Sequence, residues 1–90
     1  MLKVYQMTCE DWYVATSFVF ALEAWIADVD PANPDDCVGM LDEPHALSET
    51  ELDTLQFHHH NKKVCSFKKQ LQRCVQEDPT TARMFASSAY

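Results

Sequence analysis

The sequence predicts an α/β fold of the α+β type, in which a small antiparallel sheet of three or four strands is packed by two main helices and one short helix. Two observations predict it. Segments with the character of strands lie near both ends of the chain. Apolar residues with helical spacing fill two stretches between them. A length of 90 residues predicts a single domain, residues 1–90.

The longest apolar stretch predicts the core helix at residues 18–29. Ser17, or Thr16 before it, is placed to accept a backbone N–H as the N-cap, and Pro31 stops the helix. The opposite line of the helix, with Val19 and Phe20, is less polar than a free surface usually is, so we expect a sheet edge or a partner to cover it. The predicted core face consists of Phe18, Leu22, Trp25, Ile26 and Val29.

Four segments have the character of strands. Residues 2–7 alternate and predict the first strand, and residues 12–15 predict a second strand that is its antiparallel neighbour. Residues 37–41 form a short apolar run that predicts an edge strand, with Gly39, the only glycine, at a turn or a positive φ. Residues 84–90 predict a last strand or an extended tail.

A short helix of about two turns is predicted after Ser48. Ser48 and Glu51 have the spacing of a capping box, in which each side chain accepts the other residue's backbone N–H. Leu47 and Leu52 have the spacing of a hydrophobic staple around the same helix end. The chain then turns extended over residues 55–57.

The remaining half predicts a hairpin or loop and a third helix. Residues 57–65 are expected to reverse direction at Asn61 and Lys62. Ser66 can cap a helix whose apolar face is Phe67, Leu71, Cys74 and Val75, and which ends at Asp78-Pro79.

Charge is the most informative property for function. The formal net charge is −7, and the segment between residues 28 and 53 contains nine acidic residues and no lysine or arginine. Such a field repels nucleic acid and membrane surfaces and attracts basic protein surfaces. We expect these carboxylates to imitate a row of phosphates and to bind a nucleic-acid-binding surface of another protein. The predicted partner-binding residues are Asp28, Asp30, Asp35, Asp36, Asp42 and Glu43, with Glu49, Glu51 and Asp53 in support.

No motif predicts catalysis or a cofactor. The paired carboxylates lie in loops or at a helix start, where water or the helix dipole accounts for them, so we expect no enzyme. We also predict no metal site, although a small zinc-binding module is an alternative, because Cys65 follows His58, His59 and His60. Adjacent histidines on an extended chain point to alternating sides, so at most two of the three can share a face.

Composition also bears on location and assembly. The four cysteines form no CxxC pair, no apolar run is long enough to span a bilayer, and the N-terminus has no signal-peptide pattern, so we expect a cytoplasmic protein with reduced thiols. A structural homo-oligomer is the second alternative. In that case a basic patch could pair with the acidic half of another copy; the patch consists of Lys62, Lys63, Lys68, Lys69 and Arg73.

Most of the chain after Trp12 resembles a group of small phage and prophage proteins of unassigned activity. The group has the pattern DEP-x-x-L-S-x-x-E-L-D-x-L-x-F, matched here by residues 42–57. It continues with F-x-x-Q-L at residues 67–71 and F-A-S-x-x-Y at residues 85–90. The histidines at 58–60 replace the acidic turn residues that are more usual in the group. The resemblance implies a mobile-element protein, and small acidic proteins of that origin often inhibit host defence, including CRISPR effectors.

Overall fold

The computed structural model describes residues 1–59 and 63–87, and these form four helices and six strands. The strands are β1 Lys3–Gln6, β2 Asp11–Ala15, β3 His45–Ala46, β4 Gln56–His58, β5 Val64–Ser66 and β6 Arg83–Ser87. The helices are α1 Phe18–Val29, α2 Pro34–Gly39, α3 Glu49–Thr54 and α4 Phe67–Glu77.

A four-stranded antiparallel sheet with the order β3-β1-β2-β6 is the centre of the fold. This confirms the predicted α+β class and the pairing of the first two strands, in which Val4 lies opposite Val14 and Tyr5 opposite Tyr13. Strands β4 and β5 form a separate antiparallel hairpin, as predicted for this region. The predicted turn at Asn61 and Lys62 lies outside the described residues.

Helices cover both faces of the sheet. Because successive residues of a strand point to opposite sides, the same strands contribute side chains to a core on each face. On one face, Val4 and Val14 share a buried cluster with Leu52 of α3 and with Phe67 and Cys74 of α4. The other face belongs to α1 and α2, whose buried residues there include Trp25 and Cys37. The sheet therefore separates the helices into an α1–α2 layer and an α3–α4 layer.

The predicted helix caps are present. The Ser17 hydroxyl accepts the N–H of Phe20, and the Ser66 hydroxyl accepts the N–H of Lys69. Ser48 and Glu51 form the complete capping box, with Leu47 and Leu52 buried in the same cluster beside it. Helix α1 ends at Val29, immediately before Asp30 and Pro31, as the proline predicts.

Three details differ from the sequence predictions. The predicted edge strand at residues 37–41 is wrong: Pro34 begins α2, whose first turn contains Asp35 and Asp36, residues that favour a helix start. Gly39 ends this helix without a positive φ, and the strained position is Glu43, with φ of 46°. The third difference is β3, where His45 and Ala46, for which no strand is predicted, extend the sheet edge by pairing with β1.

The core face of α1 also shifts slightly. Ala21 is fully buried with Trp25, while Val29, the last residue of the helix, is 41% exposed. Phe18, Leu22 and Ile26 pack against this cluster as predicted. The outer face keeps Val19 and Phe20 more than half exposed, at 58% and 52%.

Candidate functional site: an acidic end and an aromatic groove

The nine predicted partner-binding carboxylates fall into two groups on opposite sides of the sheet. Six lie on one continuous segment, residues 28–43, which includes the end of α1, all of α2 and the loop that follows. The other three, Glu49, Glu51 and Asp53, lie on α3 in the opposite layer. The nine carboxylates, which are close together in the sequence, therefore lie in two separate places in the fold.

The three carboxylates of α3 are engaged within the molecule. Lys68 of α4 lies between Glu49 and Asp53, with its Nζ 3.4 Å from one carboxylate and 3.7 Å from the other. The contact with Glu49, followed by the charge of Asp53, raises the pKa of Lys68. This pairing weakens the case for Glu49 and Asp53 as partner-binding residues, since α4 already supplies a cation.

Glu51 is held from two sides. One of its carboxylate oxygens accepts the backbone N–H of Ser48 at 3.0 Å, and the other lies 3.2 Å from Nε2 of His45. The Ser48 N–H first and His45 second lower the pKa of the Glu51 carboxyl. The Nδ1 of His45 lies 2.8 Å from the Glu43 carbonyl, and because both oxygens only accept, the protonated imidazolium satisfies both contacts. The pKa of His45 is accordingly raised, mainly by the Glu43 carbonyl.

The remaining six carboxylates form what we call the acidic end: Asp28, Asp30, Asp35, Asp36, Asp42 and Glu43. None of them forms an ion pair with a residue in the described ranges 1–59 and 63–87. Five are exposed, and Asp30 is half-buried. Uncompensated carboxylates on one segment leave a local negative field that a basic surface can neutralise.

Neutral hydrogen bonds fix two members of the acidic end. The buried Tyr13 hydroxyl donates to Asp28 Oδ2 at 2.6 Å, and burial together with this bond raises the pKa of Tyr13. Asp30 caps the end of α1, and its oxygens accept the Ala32 N–H at 3.3 Å and the Asn33 side-chain amide at 3.0 Å. These bonds orient the carboxylates without cancelling their charge.

Backbone contacts fix the positions of the others. Asp35 and Asp36 lie in the first turn of α2, which is anchored by the fully buried Cys37. The N–H of Asp42 donates to the carbonyl of Met7 at 3.1 Å, so the loop is tied to the end of β1.

A second feature lies on the α4 side of the sheet, between the β4–β5 hairpin and strand β6. It is a groove of about 750 Å³ that we call the aromatic groove. The ring of Phe67 contacts those of Trp12, Phe57 and Phe85 edge-to-face, with centroid distances of 5.5, 6.4 and 5.0 Å. Two buried polar atoms that line it, the indole nitrogen of Trp12 and the amide oxygen of Gln70, have no hydrogen-bond partner among the described residues.

The adjacent histidines His58 and His59 of the β4–β5 hairpin differ in burial, since His58 is exposed and His59 is half-buried. His59 packs edge-on against Phe57 at 5.0 Å, and its Nε2 lies 3.4 Å from the Cys65 sulfur. His58, one position earlier and exposed, is expected on the other side of the strand, because side chains alternate along a strand. His60 lies outside the described residues. All four cysteines are free thiols, and no three His, Cys, Asp or Glu side chains within the described ranges converge to hold a metal ion.

Comparison with protein-family models, with curated proteins and with solved structures gives no match. No helix in the described part of the chain is long and apolar enough to cross a membrane.

Proposed function

We propose that this chain is a non-enzymatic inhibitor, of phage or prophage type, that binds a basic nucleic-acid-binding surface of a host defence complex through its acidic end. The target class that we propose is a CRISPR effector in the host cytoplasm. The observation that carries the proposal is the set of six carboxylates at residues 28–43 that form no ion pair among the described residues. The resemblance to small phage proteins supports the choice of target.

The physical basis is charge complementarity. Arginine and lysine side chains that bind phosphates can bind carboxylates with the same donors. A preformed acidic surface also accelerates encounter with a basic one, most strongly at low salt. Tyr13, Asn33 and the backbone of Met7 hold parts of the acidic end in place. Binding therefore costs less conformational entropy than it would for a flexible segment.

The first experiment reverses charge at Asp35, Asp36, Asp42 and Glu43 together, each to lysine. A host with an active CRISPR system is challenged with a targeted phage while it expresses the chain. We expect the wild-type chain to restore plating and the reversed variant to lose that effect by about a hundredfold or more, since several contacts of a few kcal/mol disappear together. A wild-type chain that leaves interference intact would contradict the choice of target.

A matched pair of variants separates site from net charge. Asp35→Asn/Asp36→Asn and Glu49→Gln/Asp53→Asn each remove two negative charges, but only the second pair faces Lys68. We expect inhibition to fall only for the first pair. Equal loss in both would mean that overall charge, rather than the acidic end, governs binding.

A structural homo-oligomer is a second candidate function, favoured by the exposure of Val19 and Phe20 on the outer face of α1. Exposed aromatic and branched side chains on one helix face are typical of a surface that another chain covers. Light scattering at high micromolar concentration, in the presence of a chelator, tests it. A monomer excludes this candidate, and an oligomer should dissociate when Phe20 is changed to Ser.

A further inference from the structure

The β4–β5 hairpin places a histidine and a cysteine on one face. Phe57 lies directly opposite Cys65 in the register of β4 and β5. His59 follows Phe57 by two residues and lies immediately after the end of β4. Because side chains alternate with a period of two, these three side chains share a side while His58 does not. The N–H of His59 donates to the Lys63 carbonyl at 2.9 Å, which extends the pairing to the position of the histidine.

The spacing of the two donor atoms fits a zinc ion. Zinc binds imidazole nitrogen at about 2.0 Å and thiolate sulfur at about 2.3 Å, so a tetrahedral angle places the two donors about 3.5 Å apart. The observed distance between His59 Nε2 and Cys65 Sγ is 3.4 Å. Both side chains are half-buried rather than enclosed, so an ion can reach them from solvent.

We propose that His59 Nε2 and Cys65 Sγ bind a Zn²⁺ ion as two of its four ligands, and that the same pair from a second copy of this chain supplies the other two. The described residues offer no third His, Cys, Asp or Glu at this position, so among them the coordination by one chain is incomplete. A two-fold axis through the ion doubles the pair to His₂Cys₂, a ligand set of structural zinc sites.

The chemistry of binding gives a measurable signature. The ion replaces the proton on each Cys65 thiol, and the two protons pass to solvent for every ion bound between two chains. The cation also reduces the repulsion between two copies, each of which has a formal charge of −7. The site is independent of the acidic end, so it can be tested without the proposed host target.

The experiment uses the full, untagged chain with its thiols reduced, titrated with Zn²⁺ and, for spectroscopy, with Co²⁺. We expect one ion per two chains, a zinc-dependent dimer by light scattering, and a thiolate-to-cobalt charge-transfer band. His59→Gln and Cys65→Ser should each abolish the dimer and the band. His58→Gln, on the other face of the strand, and Cys9→Ser, at an exposed thiol, should leave both intact.

A measurement on the wild-type chain guards against variants that fail to fold. Zinc should slow alkylation of Cys65 by roughly tenfold or more, because a metal-bound thiolate is a poor nucleophile, while Cys9 reacts at its usual rate. Peptide mapping by mass spectrometry reads both thiols in one sample. The proposal is overturned by equal alkylation of Cys65 with and without zinc, by zinc binding that survives in His59→Gln, or by a monomeric complex of one ion per chain.

Discussion

Single residues show how this small domain fills its two cores. Phe67 is 3% exposed and contacts three other aromatic rings, so it connects α4, β2, the hairpin and β6. Trp25 has the same role in the other layer, where it is 1% exposed and its indole N–H lies 3.4 Å from Asp11. A chain of this length has few such residues, so each contributes a large share of the total stability.

Truncation of Phe67 tests this directly. We expect Phe67→Ala to lower the free energy of unfolding by about 3–5 kcal/mol, because it removes buried apolar surface and leaves a cavity. Val38→Ala, at an exposed position, is the matched control and should change stability by less than about 0.5 kcal/mol. Urea denaturation of both variants provides the comparison, and similar midpoints would contradict the assignment of Phe67 to the core.

The bond from Tyr13 to Asp28 makes stability depend on alkaline pH. The pKa of the Tyr13 hydroxyl is raised in the folded chain. The stabilisation is therefore complete below the pKa of tyrosine in the unfolded chain, about 10, and is lost as pH rises above that value. We expect Tyr13→Phe to cost about 1–3 kcal/mol at neutral pH through the lost hydrogen bond. The difference from wild type should shrink above about pH 10. Denaturation series at neutral and alkaline pH measure it, and a constant difference would contradict the assignment.

At the scale of elements, caps decide where the short helices begin. Helix α3 has only six residues, too few to be stable by propensity alone. Its capping box satisfies N–H groups at the start, and Leu47 and Leu52 bury its apolar side. Helix α2 is equally short and has no side-chain cap from Asn33, so it depends on Pro34, its acidic first turn and the buried Cys37.

Removal of the α3 cap should therefore be costly. We expect Ser48→Ala to destabilise the chain by about 1 kcal/mol, which corresponds to a fall in Tm of about 4–8 °C for a domain of this size. Thr50→Ala, in the same helix and exposed, should leave Tm nearly unchanged. Thermal unfolding followed by circular dichroism compares them, and an equal effect of both substitutions would show that the cap is not the cause.

At the scale of the whole molecule, charge is distributed unevenly over two helical layers. The α3–α4 layer balances Glu49 and Asp53 against Lys68. The α1–α2 layer includes most of the acidic end and has no such balance among the described residues. Self-repulsion at the acidic end is a cost to folding that a bound basic partner would relieve.

Moderate salt should stabilise the free chain. Sodium chloride near 0.1 M reduces the screening length to about 10 Å, which weakens repulsion between exposed carboxylates. We expect the urea midpoint to rise between low salt and about 0.2 M, by an amount worth up to about 1 kcal/mol. A midpoint that falls over this range would show that internal ion pairs outweigh the repulsion.

Much of the fold follows from local chemistry that the sequence displays. Serines at 17, 48 and 66 begin helices because their hydroxyls accept free backbone N–H groups. Prolines at 31 and 79 follow directly after helix ends. Trp12, Tyr13 and Val14 favour a strand, because aromatic and β-branched side chains pack well on a pleated surface.

The candidate sites depended instead on long-range contacts. The acidic band is a property of the sequence. Only in the fold do Glu49, Glu51 and Asp53 lie beside Lys68 or His45, while the other six carboxylates have no ion pair among the described residues. The hairpin register similarly selected His59 over His58 as the neighbour of Cys65. Local pattern determines which residues can cap, alternate or stop an element, since those effects act within a few positions. Tertiary structure decides which charges and ligands meet, because that requires residues distant in the chain to share one face.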